Sequence, residues 1–288
     1  MSAMQPYAEV IGDPIVQSKS PAIHGFWLEQ LGIDADYRAT HVTGTGLADY
    51  LAARRGDAAW RGCNVTMPHK LAVMPLLDRL DPVAVAVGAV NTIVRADDGT
   101  LTGYNTDVPG FLEPLQPLPP AEDFPTGVAI VLGAGGAARA VVYALWQAGY
   151  AIDILNRDVG KARSLAMEFG APDTAFAGLE LPAAPRLEVA DGQPAGAALL
   201  VNTTALGMVG QPPLDLSLDR VAGPVTVYDI VTAPVLTPLL AQAERRGLRC
   251  IDGLSMLIGQ ADHAFRHFFG VNPPRGDADV VLRTRLTA

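Results

Sequence analysis

Lysine is almost missing from this chain. Of 21 basic residues only Lys19, Lys70 and Lys161 are lysines, and lysine, unlike arginine, gives up a proton when its surroundings favour it. These three are the first places to look for proton chemistry. Cysteine is as scarce: Cys63 and Cys250 make neither a disulfide framework nor a CxxC pair and read as buried small apolar residues. Charge is low, 18% against 49% apolar residues, which excludes a disordered chain. A basic excess is lacking too: 30 acidic residues outnumber 21 basic ones, for a net charge of −9. Nucleic acids and anionic membranes recruit the opposite balance. No apolar run approaches the roughly 18 residues of a membrane span, Val83–Val90 being the longest candidate. The N-terminus, MSAMQPYAEV, has no basic flank followed by an apolar block, so no secretory signal is read and a cytoplasmic location is expected.

What is present is an alternation of strand and helix patterns over 288 residues, room for two domains at roughly 100–200 residues each. Strands are read at 7–11, 37–42 and 62–66, and helices at 21–31 and 46–55, the first with Ser20 as N-cap and Pro21 at its first position. A further helix is expected over 69–77. Residues 89–95 and 100–104 flank Asp97, Asp98 and Gly99, a strong hairpin signal. A connector follows, with five prolines in the thirteen residues 113–125. Beyond it comes a regular βαβ series: strands at 128–132, 151–155, 198–202, 225–230 and 249–251, with helices at 137–148 and 160–169. That order implies a parallel sheet covered on both faces. Residues 171–194 are rich in proline and alanine and read as loops, and residues 255–269 are again helical.

Five constellations carry chemistry. Gly133, Ala134, Gly135, Gly136 and Ala137 follow a strand and open a helix, the context in which glycines let a pyrophosphate approach the backbone and the helix N-terminus. At the end of the next strand stand Asn156, Arg157 and Asp158, with Lys161 three further on. Arginine and lysine there favour the 2′-phosphate of NADP, whereas an acid favours NAD, so NADP is expected and NAD stays open. In the first half, Asn64 and Thr66 alternate along a strand end and Lys70 follows Met67, Pro68 and His69. A lysine is a competent proton donor when a carbonyl becomes an alcohol. Asn105, Thr106 and Asp107, with Asn91 and Thr92, offer amides and a carboxylate that could hold the lysine's charge. Ser18 and Ser20 sit at a strand–helix junction, suited to a substrate carboxylate. His24, His41, His69, His263 and His267 share no metal-ligand spacing, and no metal is expected.

Taken together, in this order along nearly the whole chain, from Ile11–Pro21 to Gly253–Gln260, these motifs resemble the shikimate dehydrogenase family. The resemblance implies an N-terminal α/β substrate domain, residues 1–107, to which 253–288 return. It also implies a Rossmann-type NADP domain, 108–252, with the active site in the cleft between the two. It implies reversible reduction of 3-dehydroshikimate to shikimate with NADPH, on the route to chorismate and the aromatic amino acids, by a monomer or homodimer. In that family's terms Ser18 and Ser20 bind the carboxylate. Asn64, Thr66, Asn91, Asp107 and Gln260 bind the ring hydroxyls, and Lys70 is catalytic with Asp107 as its partner. Gly133–Ala137 cradle the pyrophosphate, and Asn156, Arg157 and Lys161 select NADP. Residues 202–208, Ile230 and Gly253 line the nicotinamide side. The chain departs from the pattern with Gln17 for a usual histidine, Asp158 for threonine, Val108-Pro109 for Gly-x, and Thr232 for tyrosine. Asp158 and Thr232 keep a quinate/shikimate enzyme using NAD as the alternative, although the two serines favour shikimate. A nucleotide-binding sensor without turnover is the alternative outside enzymes.

Overall fold

The computed structural model describes residues 4–116, 128–170, 175–177, 197–219, 221 and 225–287. They form two compact units, 1–110 with 258–288, and 111–257.

The first unit is built on a six-stranded sheet. Its strands are β1 (Tyr7–Gly12), β2 (Asp36–His41), β3 (Trp60–Val65), β4 (Arg79–Leu80), β5 (Thr92–Arg95) and β6 (Leu101–Tyr104), in the order β2-β1-β3-β5-β6-β4. β1 is buried along its whole length and pairs in parallel with β2 and β3. β5 and β6 form the expected antiparallel hairpin, and β5 joins β3 antiparallel. The helices are α1 (Ser20–Leu31), α2 (Leu47–Arg55) and α3 (Pro82–Val87); α4 (Asp107–Leu112) opens after the hairpin. α1 ends on Gly32, whose φ of 62° supplies the left-handed turn. Gly62 lets an element close on the sheet. A Cβ there would stand 2.1 Å from Ile93 O and 2.8 Å from the Phe268 ring, and its φ is +152°.

In the second unit β7 (Val128–Leu132), β8 (Ala151–Asn156), β9 (Ala175–Ala177), β10 (Ala197–Asn202), β11 (Thr226–Asp229) and β12 (Arg249–Ile251) lie in the order β12-β11-β10-β7-β8-β9. Every pairing is parallel, with α5 (Gly136–Gln147), α6 (Val159–Glu168) and α7 (Pro238–Arg245) as connecting helices. This is the doubly wound Rossmann order. Its direction reverses between β7 and β10, and ligands bind such sheets outside the carboxyl ends of the strands at that point. β7 is buried at all five positions, as a central parallel strand must be. α8 (Gly253–Phe269) and α9 (Asp277–Thr287) complete the chain. No helix among the described residues is long and apolar enough to cross a membrane.

Two local expectations are corrected. Residues 69–77 form turns with a short 3₁₀ piece at Met74–Leu76 instead of an α-helix. The Lys70 carbonyl accepts from Val90 N at 2.8 Å, Met74 N turns back to Leu71 O, and Pro75 has no N–H to give. Ser20 is the first helical residue and not the cap; Lys19 holds the cap position without a side-chain hydrogen bond. The connector's later part, 117–125, and most of 171–194 lie outside the described residues. Helices α3, α4, α7 and α9 have no counterpart in the sequence reading.

His24 illustrates how dry the first core is. Its ring stacks parallel on Tyr37 at 4.0 Å and lies beside Trp27, Phe265 and Phe268, and burial lowers its pKa to about 3. An unfolded histidine protonates near ~6.5. The unfolded chain therefore takes up the proton first on acidification, and stability falls as pH drops from that value toward 3. His24→Phe should flatten this dependence by about one proton. Urea midpoints of both proteins between neutral pH and pH ~4 check it; equal slopes would contradict the assignment.

Candidate active site

The candidate residues of the first unit converge where β3 and β6 end and β5 begins. Strand β3 delivers Asn64 and Thr66. The cis peptide Met67–Pro68 then turns the chain, and the Val90–Lys70 backbone bond fixes where Lys70 starts. The hairpin sets Asn91 just before β5 and Asn105–Asp107 just after β6. Lys70 Nζ donates to Asp107 Oδ2 at 2.5 Å, with side-chain exposures of 16% and 6%. Water screens such a pair little. Asn91 Nδ2 donates to Asp107 Oδ1 at 2.9 Å, so both carboxylate oxygens are engaged. Asn91 is itself held: Thr106 N donates to its Oδ1 at 2.7 Å and Thr106 Oγ1 accepts from its Nδ2 at 2.9 Å. Asn64 Nδ2 donates to Thr92 Oγ1 at 3.0 Å and lies 3.4 Å from Asn91 O.

The remaining residues join less directly. Ser18 Oγ accepts from Ser20 N at 3.3 Å, which ties the two serines together at the start of α1. Thr66 packs on Gly12, where a Cβ would come within 2.6 Å of the Thr66 methyl. Gln260, on α8, lies against Gly110, whose added Cβ would meet Gln260 N at 2.5 Å. A lysine ammonium braced by a carboxylate, beside buried amides and hydroxyls, can hold a polyhydroxylated ligand and exchange a proton with one of its oxygens.

The candidate nucleotide site lies at the carboxyl ends of the second sheet. Gly133 leaves β7 with φ +110°, and a Cβ there would stand 2.6 Å from Thr203 Oγ1. Gly133 N donates to Leu155 O at 2.8 Å, which brings the loop beside the end of β8. Gly135, with open space where a side chain would project, is the N-cap of α5, and Gly136 is its first residue. The loop is thus a concave backbone surface opening on a helix N-terminus, which fits a pyrophosphate. Asn156 Nδ2 donates to Asp158 O at 2.9 Å. Asp158 caps α6, its Oδ1 accepting from Gly160 N at 3.0 Å and Lys161 N at 3.3 Å. Arg157 and Lys161 are exposed beside it, without an ion-pair partner among the described residues.

On the other side of β7, Ile230 N donates to Asn202 O at 3.1 Å. Gly253 abuts this strand end, for its Cβ would stand 2.3 Å from Val231 O and 2.5 Å from Ile230 O. Beneath them is a hub that sequence reading missed. The fully buried Asp229 accepts from Asn202 Nδ2 at 2.9 Å, Thr237 Oγ1 at 2.7 Å and Val231 N at 3.1 Å. Burial raises its pKa against the pull of those three donors. Asn202 Oδ1 in turn accepts from Thr204 N at 3.0 Å and Thr204 Oγ1 at 2.7 Å. Tyr37 was missed as well: its hydroxyl donates to Asn64 Oδ1 at 2.6 Å. An aromatic in a strand reads as core, and only the pairing of three strands shows where its oxygen goes.

Comparisons with known proteins place these two sites in context. Residues 10–93 match the family model described as the shikimate dehydrogenase substrate binding domain. The chain is 51% identical to the shikimate dehydrogenase (NADP(+)) of Sphingopyxis alaskensis, with 98% of this chain and 97% of that protein covered. It is 47% identical to the same-named protein of Paramagnetospirillum magneticum, covering 96% and 97%. Among solved structures it matches the shikimate 5-dehydrogenase of Thermus thermophilus in complex with NADP(H) and shikimate. That match has a TM-score of 0.82 and 36% identity, over 98% of this chain and 100% of that one. The chain belongs to the shikimate dehydrogenase family.

Proposed function

We propose that this protein is an NADP-dependent shikimate dehydrogenase, which interconverts shikimate and 3-dehydroshikimate. The observation that carries the reading is the Lys70–Asp107 pair, 2.5 Å apart and mostly shielded from water, set among the amides of Asn64 and Asn91. In the reducing direction a carbonyl oxygen gains negative charge and must receive a proton. Lys70 is the group to deliver it, and Asp107 holds the ammonium until it is needed. In the oxidising direction Lys70 takes the proton back from the hydroxyl. Asn64, Thr66, Asn91 and Gln260 would receive the ring hydroxyls, and Ser18 and Ser20 the carboxylate. The relatives named for this reaction are similar over nearly their whole length, and the Thermus structure holds both ligands.

NADPH, when bound, supplies the hydride for the carbonyl carbon. On this chain Gly133, Ala134, Gly135, Gly136 and Ala137 would hold its pyrophosphate. Asn156, Arg157 and Lys161 would surround the adenosine phosphate, and Asn202–Met208, Ile230 and Gly253 would flank the nicotinamide. Asp158 does not oppose this. Its carboxylate is occupied by the backbone N–H groups that start α6, and the two cations beside it are left for a phosphate. The substrate half is then 1–107 with 253–288, and the nucleotide half 108–252.

Lys70→Ala should cut kcat by about 10²–10⁴-fold with little change in the KM for shikimate; near-normal turnover would remove Lys70 from the mechanism. The double variant Arg157→Ala/Lys161→Ala should raise the KM for NADP at least about tenfold, since each charge-assisted bond contributes about 1.5–3 kcal/mol, while the KM for NAD stays within about twofold. Steady-state absorbance assays with both coenzymes, and with shikimate and quinate, measure both effects. They also decide against the NAD-linked quinate alternative if NADP and shikimate give the higher kcat/KM.

A further inference from the structure

Four hydrogen bonds of the first unit run in one direction, from Tyr37 to Asp107. Tyr37 OH donates to Asn64 Oδ1 at 2.6 Å, and Asn64 Nδ2 donates to Thr92 Oγ1 at 3.0 Å. Thr92 Oγ1 donates to Asn91 Oδ1 at 3.1 Å, and Asn91 Nδ2 donates to Asp107 Oδ1 at 2.9 Å. Lys70 closes the chain from the far side. Asn64, Asn91, Thr92 and Asp107 are all buried, as is Tyr37. The two amides matter because each has an oxygen end and a nitrogen end, and only the surroundings decide which way they face. A donor from Tyr37 forces the oxygen of Asn64 toward it and the nitrogen toward Thr92. Thr92, having accepted, turns its own proton to the oxygen of Asn91. Thr106 N holds the same Asn91 oxygen at 2.7 Å, and the nitrogen of Asn91 faces Asp107.

From this we infer that Tyr37 is a positioning residue for the reaction: its hydroxyl sets the orientation of the Asn64 amide, and through Thr92 it supports the Asn91 amide that Thr106 N already holds beside Asp107. The sheet is built to let it do so. Tyr37 is paired with Ala8 on β1, and Ala8 and Asn64 belong to one face, since Val10 pairs with Asn64 and strand residues two apart share a face. Ala8 is small enough for the phenol to pass over β1 to β3. On its other side the ring is pinned by the parallel stack with His24 at 4.0 Å. Burial keeps the phenol well above its ordinary pKa, so it remains a donor.

This inference rests on the proposed reaction, and the experiment separates the two. Wild-type turnover of shikimate with NADP tests the reaction. A double-mutant cycle of Tyr37→Phe and Asn64→Ala then tests the positioning role. Tyr37→Phe should lower kcat/KM for shikimate about tenfold or more, because it leaves a buried acceptor unpaired. It should leave the KM for NADP unchanged and should cost nothing further once Asn64 is alanine. A loss under twofold, or losses that multiply, would overturn the proposal, since a ring that merely packs acts independently of Asn64. If Tyr37→Phe does not fold, 3-fluorotyrosine at position 37 strengthens the donor without altering the fold. It should shift the Asn64 side-chain amide resonances whether or not the protein turns over shikimate; unshifted resonances would overturn the role.

Discussion

An ammonium and a carboxylate held 2.5 Å apart at the edge of a dry interior are the constraint on which the rest of the first unit depends. Removing one partner would strand a charge in low dielectric, and such uncompensated burial is among the costliest changes a protein can suffer. The surroundings answer that cost. Asn91 takes the second carboxylate oxygen, Thr106 fixes Asn91 from two sides, and Val90 holds the lysine's own backbone. The hairpin of β5 and β6 supplies both ends of this arrangement. The antiparallel piece in an otherwise parallel sheet therefore has a purpose: it returns the chain so that Asn91 and Asp107 stand side by side.

The second unit solves a different problem with the opposite means. Its loop, Gly133–Ala137, carries no charged side chain; it offers bare backbone. Gly133 accepts a positive φ and a contact with Thr203 that a side chain would forbid, and α5 begins at once with Gly136. Across the switch point, Asp229 gathers donors from β10, from its own strand's exit and from the cap of α7. This carboxylate serves architecture. It holds the backbone of residues 202–206 and 229–231 in place, and its elevated pKa records the burial that this task requires.

Much of this was legible in the residues. The strand periodicity, the Asp97–Gly99 turn and the glycine loop each have a local cause, so their positions were read within a few residues. The rarity of lysine puts Lys70 among three candidates from the residues alone. What failed was also physical. The segment 69–77 has helical spacing, but Val90 takes the carbonyl that a helix would need. Ser20 looks like a cap, yet its N–H bonds to Ser18 and the helix starts one residue earlier. Asp158, which keeps NAD open in the sequence, closes the first turn of α6.

The order of motifs along the chain determined the α/β class, the parallel second half and the short roster of polar side chains that could do chemistry, because turns, caps and burial periodicity are written in near neighbours. Which of those side chains touch was decided by sheet order. Tyr37 and Asn64 are 27 residues apart and meet only because β2 and β3 flank the same strand. Lys70 and Asp107 meet only because a hairpin brings the second back to the first. Contacts of that kind depend on register between distant strands, a property of the folded sheet that no local stretch of sequence contains.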